Sequence, residues 1–186
     1  MSDDCFICLT IKASESGQNP GFVAKLRTGY VVLNSQGQYY QGYALFQCRE
    51  CVSELHDLRP RLRSEFLGEM CLVAEAMFRA FKPAKLNYEL LGNKVPHLHW
   101  HLIPRYSDDP KPRVPVWENE QFVTSQRAAP RLTEEQLRSL KRKLLRQLER
   151  VAGPRIQSSF MHYPRYRNRS RSASRTSRRA VPQPGG

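Results

Sequence analysis

The run Pro96-His97-Leu98-His99-Trp100-His101-Leu102-Ile103-Pro104 constrains this chain more than any other stretch. Its histidines fall at i, i+2 and i+4. In a strand, side chains two apart lie on one side of the pleat, roughly 7 Å from one another. Leu98, Trp100 and Leu102 then turn to the other side, toward a core. A lone buried histidine is usually a core residue with a satisfied partner. Three imidazoles crowded on one face, each with an ordinary pKa of about 6.5, instead call for a metal ion or an anionic substrate.

The rest of the chain supplies a frame for such a strand. Phe22 to Leu26, Gly29 to Asn34 and Gly42 to Cys48 are rich in aromatic and β-branched residues and are separated by glycine-containing turns, the pattern of an antiparallel meander. Ser14 to Gly21 reads as a loop punctuated by Pro20 and Gly21. From Leu62 to Phe81, Leu62, Phe66, Met70, Val73, Met77 and Phe81 recur at spacings of four and three, which predicts a helix that Lys82-Pro83 ends. Leu86 to Leu91 and His97 to Pro104 are further strand candidates, joined through Gly92-Asn93. Ser107 to Pro115 is too rich in proline for regular structure. Thr133-Glu-Glu-Gln is a capping box, and Leu137, Leu140, Leu144, Leu148 and Val151 continue a helix to Gly153-Pro154. The expectation is an α+β fold: an antiparallel sheet of about five strands, a long helix packed on it and a C-terminal helix.

At the histidine run the sequence resembles the histidine triad family of nucleotide hydrolases and transferases, whose motif is His-x-His-x-His followed by two apolar residues. The likeness extends back through Asn87-Tyr-Glu-Leu-Leu-Gly-Asn93 to Leu55-His-Asp-Leu-Arg-Pro and covers roughly residues 5–105. It implies the HIT-like fold, a homodimer, and a nucleotide substrate such as a dinucleoside polyphosphate or a nucleoside phosphoramidate. It also implies that His99 attacks the α-phosphate to give a covalent nucleotidyl-histidine, with no cofactor needed for that step. By the same resemblance His97 and His101 flank the nucleophile, Asn87 holds the nucleophile side or the phosphate, Asn34 contacts the ribose, and Gly92, Asn93 and Lys94 cradle phosphate. Two departures stand out. Arg49-Glu-Cys51-Val occupies the place where many members carry a fourth histidine in Lys-x-His-Val, and Lys94 replaces a frequent serine or threonine.

The five cysteines are Cys5, Cys8, Cys48, Cys51 and Cys71, an odd number that argues against a disulfide framework. Cys71 reads as core packing. Cys5-Phe-Ile-Cys8 and Cys48-Arg-Glu-Cys51 each have the gap that lets two sulfurs reach one tetrahedral ion, so the four could form a structural zinc site. Some histidine triad proteins bind zinc similarly, with a histidine at the place of Cys51. Two alternatives stay open: Cys48 is a buried strand residue and its pairing is chance, or Cys48 points away and the fourth ligand is His97 or water.

The formal charge of +13 divides unevenly. Residues 154–186 carry eight arginines and no acidic side chain, leaving only +5 for the rest. The Arg/Ser-rich tail reads as disordered and capable of non-specific nucleic-acid contact. No run is long and apolar enough for a membrane span, and the acidic start is unlike a signal peptide, so a cytoplasmic protein without membrane contact is expected. The organisation expected is a histidine triad domain over 1–106, a proline-rich arm over 107–131, a helix over 132–153 and a tail over 154–186. Two competing functions remain at this point: a zinc-stabilised module that binds nucleotide or nucleic acid without turnover, and a metalloenzyme liganded by His97, His99 and His101.

Overall fold

The computed structural model describes residues 5–35, 37–128 and 132–163. Of the disordered tail expected over 154–186, residues 164–186 lie outside the described residues, whereas 154–163 are structured and include a short strand at Ser158–Ser159, which corrects the expected start of the tail. The elements, in chain order, are α1 (Phe6–Glu15), β1 (Phe22–Lys25), β2 (Gly29–Leu33), β3 (Ala44–Cys48), α2 (Pro60–Phe81), β4 (Lys85–Glu89), β5 (His99–Arg105), α3 (Glu120–Ala128), α4 (Glu134–Ala152) and β6 (Ser158–Ser159). The six strands form one sheet in the order β4-β5-β3-β2-β1-β6, every pair antiparallel. The expected α+β architecture is present, with a two-residue sixth strand at the far edge.

Each long helix has local reasons to start and stop. Pro60 opens α2, where its missing N–H would be unpaired in any case, and Lys82 closes it in the left-handed region at φ 51° before Pro83. In α4 the Thr133 hydroxyl accepts from the Gln136 backbone N–H at 3.2 Å, and the Gln136 side chain accepts from the Thr133 N–H at 2.9 Å. The two helices pack together on one face of the sheet. Leu62, Phe66, Val73 and Met77 of α2 and Leu137, Leu144 and Leu148 of α4 bury against Val31, Phe46, Leu98 and Leu102 in the main core. Cys71 is not part of this core: it lies one residue off the Met70–Val73–Met77 stripe and is exposed.

Among the described residues, the other face of the sheet carries a cluster at each of its two ends. At one end α1 brings Ile7 and Ile11 onto Phe22, Tyr30 and Val32. The loop read into Ser14–Gly21 begins only after this helix. At the other end the segment after β5 returns across the sheet, and Val116 and Phe122 pack with Tyr40, Tyr43 and Ile103. Residues 107–115 lack regular structure, as their prolines predict, but α3 follows them. Its start is set by Asn119, whose Oδ1 accepts from the backbone N–H of Gln121 at 3.2 Å and of Phe122 at 3.4 Å. Between these two small clusters lies the part of β5 that carries His99 and His101.

Candidate functional site

Alternation along β5 places His99 and His101 on the face away from the main core, while Leu98 and Leu102 bury on the other side. The ladder fixes their neighbours. Gln47 lies opposite His99 and Leu45 opposite His101 on β3, and Glu89 lies opposite His101 on β4. His99 Nδ1 is 2.5 Å from the carbonyl oxygen of His97, His99 Nε2 is 3.1 Å from His101 Nε2, and His101 Nδ1 is 2.6 Å from Tyr43 Oη.

These contacts assign the protons. A carbonyl only accepts, so His99 Nδ1 carries the hydrogen and the neutral ring keeps its lone pair on Nε2. His101 must then donate through Nε2–H, which leaves Nδ1 to accept from the Tyr43 hydroxyl. Electrostatics favour this neutral arrangement. Burial lowers the pKa of His99, and burial together with His99 lowers that of His101 to about 4. Burial, with Glu89 nearby, raises the pKa of Tyr43 and keeps it protonated. A basic lone pair is therefore held on the middle histidine at neutral pH.

The loop after β5 roofs this pair. The Trp117 ring stands edge-on to His101, with centroids 5.8 Å apart and planes at 88°, and its Nε1–H donates to the Glu89 carboxylate. Behind it, the Arg105 guanidinium is buried and pairs with Asp109, donates to the carbonyls of Val114 and Lys111 at 3.0 and 2.5 Å, and lies over the Tyr40 ring. Trp117 thus stands over His101 of its own chain.

His97 turns elsewhere. It is fully buried, its Nε2 is 2.8 Å from the Cys48 carbonyl oxygen, and its Nδ1 is 3.3 Å from Cys5 Sγ and 3.7 Å from Cys8 Sγ. The Cys48 carbonyl demands a hydrogen on Nε2, so the Nδ1 lone pair faces the sulfurs. The ligand atoms of Cys5, Cys8, Cys51 and His97 all lie within 4.8 Å of one another. A tetrahedral ion with Zn–S bonds of about 2.3 Å needs sulfurs about 3.8 Å apart, so three thiols and one imidazole nitrogen at these separations fit zinc with a small contraction. Burial, reinforced by Cys51 and Cys5, pushes the Cys8 thiol up to about 12, a crowding that a divalent cation reverses.

This corrects the four-cysteine set. Cys48 shares its face of β3 with Ala44 and Phe46 and is buried in the main core under the helices; only its carbonyl reaches His97. The strand's period of two carried that signal, because Cys48 stands in phase with Phe46. The three-histidine metal site fails as well: His97 joins the cysteines, and the Nδ1 of His99 is engaged by a carbonyl.

The residues expected around phosphate and ribose are placed less directly. Asn87 is half-buried on the site face of β4, where its Oδ1 accepts from Arg105 Nη1 at 3.1 Å. Asn34 donates through Nδ2 to Gln126 Oε1 at 2.7 Å, tying the end of β2 to α3. Gly92 turns the β4–β5 connection at φ +74°, with Asn93 and Lys94 exposed beside it. Among the described residues, none of Asn87, Gly92, Asn93 and Lys94 hydrogen-bonds a triad histidine. Sequence reading missed Tyr43 and Glu89 as site residues and left open whether Trp117 reaches the site of a partner subunit. Tyr43 was findable, since it alternates in phase with Leu45 and Gln47 on the triad's face.

The HIT domain family model matches residues 18–108. A histidine triad protein from Marinobacter aquaeolei shares 30% identity over 70% of this chain and 89% of its own, with a TM-score of 0.56. The chain belongs to the HIT domain family. Two further HIT structures agree in fold: histidine triad protein blr8122 from Bradyrhizobium japonicum (24% identity, 68% of this chain and 89% of that one, TM-score 0.57) and a hypothetical histidine triad nucleotide-binding protein from Sulfolobus tokodaii (18%, 78% and 93%, TM-score 0.58). Among curated proteins, none matches. Beside the matched segment, this HIT protein adds α4, whose leucines complete the main core. Among the described residues, no helix is long and apolar enough to cross a membrane.

Proposed function

We propose that this HIT protein is a nucleotide hydrolase or nucleotidyl transferase that opens a dinucleoside polyphosphate or a nucleoside phosphoramidate through a covalent nucleotidyl-histidine on His99. The observation that carries the reading is the directed chain from Tyr43 through His101 and His99 to the His97 carbonyl, which leaves the Nε2 lone pair on a neutral ring. When the α-phosphate enters between His99 and His101, the Nε2 lone pair forms a P–N bond as the bond from phosphorus to the leaving group breaks. The N–H of His101 turns from His99 to the departing atom and supplies its proton. Water or another acceptor then attacks phosphorus, breaks the P–N bond and returns a proton to His101. Asn34, Asn87 and the Gly92–Lys94 turn surround the nucleotide in this scheme, Asn87 acting through the amide nitrogen that Arg105 leaves free. Zinc on Cys5, Cys8, Cys51 and His97 is structural, and His97 serves the reaction through its carbonyl.

Two wider properties go with this reading. The chain acts as a homodimer, for which the outer edge of β4, with Tyr88 48% exposed and Leu91 49% exposed beside it, offers a surface. It works in the reducing cytoplasm, which suits a site built from free thiols.

Incubation with diadenosine polyphosphates and an adenosine phosphoramidate, followed by intact-protein mass spectrometry, should reveal a nucleotidyl adduct that maps to His99. His99→Ala should lose turnover by about a thousandfold or more and still bind nucleotide. Full turnover in that variant, or the absence of any adduct and turnover in folded wild-type protein, would leave the nucleotide-binding module as the better reading.

A further inference from the structure

We propose that the cleft between α4, the start of β1 with the loop before it, and residues 160–163 is a second binding site, for a small anionic molecule with an aromatic or hydrocarbon body. The cleft has a volume of about 570 Å³, within the range of small-molecule pockets. Its apolar wall comes from Phe22, Leu137, Phe160 and Tyr163, and three cations, Arg138, Lys141 and Arg142, stand against one acid, Glu134. It lies apart from the triad: β5 and β1 are three strand spacings apart, about 14 Å.

What sets the cleft apart is that one of its cations, Lys141, is half-buried. Among the described residues, none of the three is in ion-pair reach of a carboxylate. Lys141 is held by a neutral pair of contacts. Its Nζ donates to the Pro20 carbonyl at 2.9 Å and sits 4.3 Å from the centroid of the Phe160 ring. Burial, with Arg138 adding repulsion, lowers its pKa to about 8. A half-buried ammonium costs free energy that only an anion would offset in full, and an anion seated there would restore the proton affinity of Lys141.

The chemistry of the walls selects the occupant. A bare inorganic anion would leave the apolar wall wet, and an uncharged hydrophobe would leave three cations unpaired. A carboxylate, sulfonate or phosphate monoester on a flat apolar body satisfies both. The chain's own C-terminal segment does not suit the cleft, because residues 164–186 contain seven arginines and no acidic side chain.

The test uses the full chain and two probes that differ only in the anion. Anilinonaphthalene sulfonate should bind saturably, one per chain, and Lys141→Met should weaken it by about tenfold or more, the scale of one charged hydrogen bond. Lys141→Arg should retain binding. Phenylnaphthylamine, the same rings without the sulfonate, should bind more weakly and be indifferent to Lys141→Met. Raising the pH from about 7 to about 9 should weaken the sulfonate in the wild type as Lys141 loses its proton, and leave Lys141→Arg unchanged. Equal affinity of the sulfonate for wild type and Lys141→Met, equal affinity of the two probes for wild type, or no binding at all would overturn the proposal. No readout involves turnover, so the outcome is independent of the role given to His99.

Discussion

Both ring nitrogens of His101 are engaged, one by Tyr43 Oη and one by His99 Nε2, so the tautomer of the proposed nucleophile's partner depends on a tyrosine hydroxyl. A hydroxyl that donates to Nδ1 stabilises neutral His101 and resists its protonation. In Tyr43→Phe the acid limb of the pH–rate profile should therefore move to higher pH, and kcat should fall about tenfold with KM little changed, the value of one neutral hydrogen bond. An unmoved acid limb would reduce Tyr43 to packing. The same depressed pKa acts on stability. His101 titrates near 6.5 in the unfolded chain and at about 4 in the folded one, so between these values the unfolded state binds the extra proton. Stability from this group is complete above about 6.5 and is lost as pH falls through 4; His97 and His99 are shifted in the same direction. Urea melts across that window should show it, and His101→Asn should flatten the slope.

At the level of elements, β5 is held to the loop that follows it by one buried pair. Arg105 and Asp109 are 5% and 0% exposed at their side chains, and the guanidinium also gathers Asn87 and the carbonyls of Lys111 and Val114. Arg105→Met strands the Asp109 carboxylate and should cost about 3–5 kcal/mol in urea unfolding, with Trp117 fluorescence shifting as the roof over His101 loosens. Adding Asp109→Leu should recover part of the loss, because no buried charge then remains alone. The elements that sequence shows well are those whose signal is local. The Leu62–Phe81 stripe, the Thr133 capping box and the alternation through His99 each predict their element within a few residues. By contrast α1 has no side-chain cap and carries β-branched Ile7, Thr10 and Ile11, so its helix depends on the long-range burial of Ile7 and Ile11 against β1 and β2. α3 went unread as well, because the prolines before it dominate that stretch and its Asn119 cap shows itself only in the structure. The site follows the same rule. Strand alternation aligns the histidines from sequence alone, whereas the turn of His97 away from its neighbours is decided by sulfurs 89 and 92 residues distant.

Across the whole molecule, the Cys5–Cys8–Cys51–His97 cluster joins parts that have little else in common. Cys5 is the N-cap of α1 and Cys8 lies in its first turn, Cys51 belongs to the connection after β3, and His97 to the approach to β5. An ion there fastens the N-terminal helix to the sheet and fixes the backbone whose carbonyl orients His99. Wild-type protein should contain about one zinc per chain by metal analysis, and Cys51→Ser should lose it while Cys48→Ser keeps it. Chelation should lower the melting temperature by roughly 5–10 °C, the range for a bound ion in a chain of this size, and expose the α1 contacts to hydrogen exchange first. Turnover in chelated protein below its melting temperature separates the roles. A structural ion leaves the His99–His101 pair chemically intact, so kcat falls in proportion to the loosened His97 carbonyl and its pH profile keeps its shape. Complete loss of activity with α1 still protected would instead make the metal a participant in the reaction and would remove His99 from the role of unaided nucleophile.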